Sequence, residues 1–83
     1  MLLLAVNVFA YTGDGTIENP YILTSCDDFN DIASAITDGN TDIAASHIKL
    51  GSSIDFYYSE FTPIGTQDNP FTGVFDGNGY SLN

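Results

Sequence analysis

Carboxylates are the most numerous ionisable groups in this chain, and Asp76-Gly77-Asn78-Gly79 sets one beside an amide oxygen on a tight turn. Calcium loops present oxygens in this way, but they also need further spaced ligands and a distal bidentate Glu, which this stretch lacks. Closing a strand is therefore the use expected of it, and Gly13-Asp14-Gly15 is read the same way with fewer ligands. Asp55, Glu60, Asp68 and Asp76 are candidates for paired-carboxylate catalysis, which requires two acids roughly 5 to 9.5 Å apart across a cleft. Nothing in their linear order sets such a pair. A nucleophilic Cys26 would need a neighbouring base. The one histidine, His47, falls in a different expected element, so Cys26 is read as a small buried apolar residue. No catalytic residue, metal ligand or cofactor site is assigned, and no cofactor is expected. Tyr57, Tyr58 and Phe61 are the candidates for ligand contact, because flat apolar rings stack on sugars. Their alternative use is to anchor the loop that carries them.

Those groups sit in a strongly acidic chain. Eleven Asp or Glu stand against a single basic residue, Lys49, giving a formal charge of −10. Such a surface repels nucleic-acid phosphates and anionic headgroups, which excludes nucleic acid as a partner. Eighty-three residues allow one small domain. The 43% hydrophobic content, with five Tyr and six Phe, supplies the apolar surface that a disordered tail lacks. With one cysteine there is no intrachain disulfide.

Residues 1–10 form an apolar run that ends with Val8 and Ala10 at the −3 and −1 positions of a signal-peptidase site. The run lacks an opening Lys or Arg, and it falls short of the roughly 20 apolar residues needed to span a bilayer. It is read as an incomplete or truncated leader in preference to a strand, with residues 11–83 as the mature part and no membrane span.

Glu18-Asn19-Pro20 is turn chemistry, and Tyr21-Ile22-Leu23-Thr24 reads as a short strand. Ser25 followed by Asp28 approximates a capping box, so a helix should begin there. Phe29, Ile32, Ala33 and Ile36 then form one apolar stripe, and Gly39 stops the helix. Asn40 to Ser46 reads as a polar loop. His47 to Leu50 alternates as a half-buried strand, and Ile54-Asp55-Phe56, Phe71 to Phe75 and Tyr80 to Leu82 read as further short strands. The expected core is Phe29, Ile32, Ile36, Ile48, Leu50, Ile64, Phe71, Phe75 and Leu82.

One stretch returns. Gly15-Thr16-Ile17-Glu18-Asn19-Pro20-Tyr21 is echoed by Gly65-Thr66-Gln67-Asp68-Asn69-Pro70-Phe71. Two short copies do not define a repeat architecture. They read as one turn-into-strand solution used twice.

The run Phe61-Thr62-Pro63-Ile64-Gly65, then Asn69-Pro70, then Phe71-Thr72-Gly73-Val74-Phe75-Asp76-Gly77-Asn78-Gly79-Tyr80, resembles the opening of GLUG-repeat surface proteins. These belong with the filamentous-haemagglutinin-like right-handed parallel β-helices. Gly13 to Thr16, the helix opened by Ser25, and His47 to Leu50 follow the same order. The resemblance implies a mainly β chain forming the N-terminal cap and first rungs of a parallel β-helix, secreted or at the cell surface. Its structural residues would be Ser25, Asp28, Phe29, Ile32, Ile36, Gly65, Phe71, Phe75, Gly77 and Gly79. Its partners would be downstream rungs of a longer protein, and an extracellular glycan or host surface. The expected function is a non-catalytic, adhesin-like or carbohydrate-associated structural part. A small glycan-binding module and a truncated polysaccharide-lyase-like enzyme are the alternatives.

Overall fold

A computed structural model describes residues 11–57 and 60–83. The leader expected at residues 1–10, and Tyr58, lie outside the described residues.

The order of elements is β1 (Tyr21–Leu23), α1 (Cys26–Thr37), α2 (Thr41–Ala44), β2 (His47–Leu50) and β3 (Val74–Asp76). The strands form one parallel sheet in the order β1-β2-β3. Tyr21 pairs with Ile48 and Leu23 with Leu50, while Ile48 pairs in turn with Phe75. Residues paired across a parallel ladder share a face, so Tyr21, Leu23, Ile48, Leu50 and Phe75 look inward. Ile22, Lys49 and Asp76 form a row on the other face.

This arrangement overturns the parallel β-helix. The three strands make an open sheet, and the link from β1 to β2 is spent on helices. A β-helix turn must deliver strands to several sheets. Here each pass delivers three or four residues to one sheet, and among the described residues the pairing elsewhere is a single parallel bridge between Ile54 and Leu82 and an antiparallel one between Thr12 and Ile22. The role of α1 as the cap of a coil falls with that fold. Its stripe instead joins the sheet's own core: Phe29, Ile32 and Ala33 cluster with Leu23, Ile48, Leu50, Ile54 and Tyr11.

The helix forms where its signals lie. Ser25 is the N-cap at φ −144°, and its hydroxyl accepts the Asp28 N–H at 3.1 Å. Asp28 closes the box one residue further out, its Oδ2 accepting the Thr24 N–H at 2.9 Å and the Thr24 hydroxyl at 3.2 Å. At the other end Gly39 adopts φ +95°. The Gly39 N–H donates to the Ile36 carbonyl at 3.0 Å and the Asn40 N–H to the Ala35 carbonyl at 3.0 Å, a Schellman closure. Asn40 then acts a second time, its side chain accepting the Ile43 N–H at 3.1 Å to cap α2. The expected loop over 40–46 thus contains a one-turn helix, too short for any apolar stripe to announce it.

Of the expected core, Phe29, Ile32, Ile36, Ile48 and Leu50 are buried, and Ile64, Phe71 and Phe75 pack partly against them. Leu82 is 41% exposed, while Leu23 and Ile54, absent from that expectation, are fully buried. The strand expected over Phe71 to Phe75 begins only at Val74 and runs to Asp76. Gly73 precedes it because a Cβ there would overlap the Ser46 carbonyl oxygen.

Candidate functional site

The two edges of the sheet differ. In a strand, successive N–H and C=O groups point to opposite sides, and on β1 the Ile22 N–H faces away from β2. It is taken by the Thr12 carbonyl at 3.0 Å, where residues 11–13 fold back antiparallel. On β3 the Val74 N–H turns toward β2 and bonds the Ser46 carbonyl at 3.1 Å. The N–H and C=O of Phe75 therefore face outward, and among the described residues no strand lies there. Unpaired edges of this kind invite another strand.

Beside that edge lies an apolar groove of about 330 Å³, lined by Phe29, Phe61, Ile64, Phe71, Phe75 and Leu82. Its floor is an aromatic cluster. The Phe29 ring meets Phe56 edge-on at 5.3 Å, Phe61 at 5.4 Å and Phe75 at 6.3 Å, and Phe56 meets Phe61 edge-on at 5.2 Å. Asn30 holds the rim in place: its Nδ2 donates to the Glu60 carbonyl at 2.7 Å, and its Oδ1 accepts the Thr62 N–H at 2.9 Å. Sequence reasoning missed Asn30, which reads only as a polar residue off the helical stripe. A side-chain amide can satisfy a donor and an acceptor of one extended segment at once, but no pattern announces which segment.

The candidate glycan contacts separate. Phe61 is 53% exposed with its ring built into the cluster, whereas Tyr57 is 75% exposed on the turn after Asp55.

Three of the eleven carboxylates work in turns. Asp14 Oδ1 accepts the Thr16 hydroxyl at 2.7 Å, Asp55 Oδ1 accepts the Tyr57 N–H at 2.9 Å, and Asp76 Oδ1 accepts the Asn78 N–H at 2.8 Å. Each is a carboxylate bonded two residues ahead, the side-chain turn that Asp favours. The Thr16 hydroxyl and N–H hold the Asp14 carboxyl below its usual range. Among the described residues, no three of His, Cys, Asp or Glu gather as a ligand set. Cys26 packs against the core, while His47 pairs with Val74 on the outer face, so the two stand on opposite sides of the sheet.

That outer face carries a second groove of about 480 Å³, where His47 and Lys49 lie with Glu18 and Asp76. Its charges are mixed, and Lys49 stands in register between Ile22 and Asp76.

The remaining structural residues fall as follows. Asp28 is buried, and its Oδ1 has no hydrogen-bond partner among the described residues. Gly65 and Gly79 have positive φ, but Gly77 does not, and a Cβ at Gly77 would make only ordinary contact at 3.7 Å. The two echoed stretches do fold alike: the Thr16 hydroxyl accepts the Asn19 N–H at 3.1 Å and the Thr66 hydroxyl the Asn69 N–H at 2.9 Å. In both copies the leading glycine lies against the closing aromatic, Gly15 on Tyr21 and Gly65 on Phe71.

Fold and site together define a small unit of two helices and a parallel sheet with one open edge beside an aromatic groove. No family model matches the chain, and no solved structure matches it. Over 76 residues, 92% of this chain, it is 32% identical to a protein of Evansella cellulosilytica provisionally named a Gly-rich membrane protein. The chain spans 9% of the length of that relative. Among the described residues no helix is long and apolar enough to cross a membrane.

Proposed function

We propose that this chain is a non-catalytic structural unit of a longer, secreted or cell-surface protein, in which it begins a parallel sheet that other strands continue. The observation that carries this reading is the outward-facing backbone of Phe75 on β3, which no strand pairs among the described residues, set against the Ile22 N–H that Thr12 occupies on β1. One edge is closed and the other is left for growth. The relative supports the longer protein: this chain matches only 9% of its length. An adhesin-like or carbohydrate-associated role belongs to the longer protein.

Thermal unfolding followed by circular dichroism tests this on the chain and on the longer product of its gene. The expected result is a melt that rises and sharpens when the following residues are present. A gene product ending at Asn83, or an equally stable short chain, overturns the reading.

A second reading, a small glycan-binding module, is favoured by the exposure of Tyr57 and of one side of Phe61. A glycan array probed with the chain and with Tyr57→Ala and Phe61→Ala separates the two. Signal above background that either substitution abolishes supports glycan binding, and a blank array removes it.

A further inference from the structure

Resting on the structural role proposed above, we infer that β3 accepts a parallel strand of defined chemistry: a large apolar residue beside Phe75, followed by Lys or Arg beside Asp76. The inward column Tyr21, Ile48, Phe75 is apolar at every level, so the next residue in it continues the core. It enters over the groove formed by Phe29, Phe61, Ile64, Phe71, Phe75 and Leu82. The outward row runs Ile22, Lys49, Asp76. A cation placed next would neighbour Asp76 as Lys49 does on its other side, and opposite charges side by side across strands stabilise pairing while like charges oppose it. The residue before the apolar one would lie beside Val74, which is half exposed, and a β-branched side chain covers such a surface best.

Charge also selects the occupant. A second copy of this chain would bring another formal −10 to the edge, and self-repulsion of that size disfavours it. An extended segment with a basic residue at the third position is attracted instead. Backbone pairing through the Phe75 N–H and C=O supplies affinity, and the alternate side chains supply selectivity, as in other strand additions.

The test adds short capped peptides to the intact chain and follows amide exchange by NMR. One peptide carries Val-Leu-Lys in the pairing segment, a second Val-Leu-Glu, and a third Ser-Ser-Lys. The Val-Leu-Lys peptide should slow exchange of the Phe75 N–H about ten-fold or more, leaving β1 unchanged. The other two should slow it less. In Asp76→Asn, which keeps the oxygen that caps the turn but removes the charge, the preference for Lys over Glu should vanish. Protection that rises with protein concentration in the absence of peptide would mean self-association and overturn the choice of occupant. If the longer gene product is stabilised yet no peptide slows Phe75, the strand chemistry inferred here is wrong and the structural role stands. If neither happens, both fall.

Discussion

The side-chain amide of Asn69 donates to the carbonyl of Thr37 at 2.9 Å, tying the second copy of the echoed turn to the last turn of α1. Helix ends leave carbonyls without partners, and this bond supplies one from a loop more than thirty residues away. The first copy uses its asparagine differently, with the Asn19 carbonyl accepting the N–H groups of Asp14 and Gly15 at 3.0 Å. Asn69→Ala should therefore cost about 0.5–1.5 kcal/mol, the usual net value of one such bond. Asn19→Ala, which keeps those main-chain bonds, should cost less. Denaturant titration of both variants compares them directly.

Gly73 and Gly77 stand four residues apart on either side of β3 and should respond oppositely to alanine. At Gly73 a methyl group would overlap the Ser46 carbonyl, which accepts the Val74 N–H that joins β3 to β2. Gly73→Ala should cost about 1–3 kcal/mol, as overpacking does, and detach β3, seen as faster exchange of the Val74 amide. Gly77→Ala should stay within about 0.5 kcal/mol of the parent. Equal melts for the two variants would contradict this account.

Phe29 links the helix to the sheet. Its ring touches Phe56, Phe61 and Phe75, and it is 2% exposed. Phe29→Ala should cost about 3–5 kcal/mol, a large part of the roughly 5–15 kcal/mol typical of a whole domain. Phe61→Ala removes a ring on the rim of the same cluster and should cost clearly less. Loss of near-ultraviolet dichroism in the first variant and its retention in the second would separate the two.

Tyr11 gives the chain an alkaline limit. Burial, together with Tyr21, Asp31 and Asp28 nearby, raises its phenol above the ordinary value of 10.0. The folded state thus favours the protonated ring. Its contribution is complete below the unfolded value and is lost as pH rises through the higher folded one. Stability should fall above about pH 10, and Tyr11→Phe should flatten that part of the profile. In absorbance titration near 295 nm, one late tyrosinate step should disappear in the variant.

Local structure was largely legible from the residues. Ser25, the stripe Phe29, Ile32, Ala33, Ile36 and the stop at Gly39 define α1, because capping and 3.6-residue periodicity act within a few residues. His47 to Leu50 alternates as expected. The one-turn α2 was not legible, since a single turn has no period, and neither were Leu23 and Ile54 as core residues, which gain burial only from elements distant in sequence.

What the sequence by itself determined is the set of short elements, their caps and turns, and the apolar side of each strand. Only the tertiary structure decided that these strands share one open sheet in place of a closed coil, that β1 is covered by Thr12 while Phe75 faces outward, and that Asn30 and Asn69 fasten two distant loops to α1. The division has a physical cause. Caps and periodicity are satisfied by neighbours along the chain, whereas strand order and edge coverage depend on which distant backbone groups meet. Backbone N–H and C=O groups are the same at every residue, so the side-chain order does not name their partners.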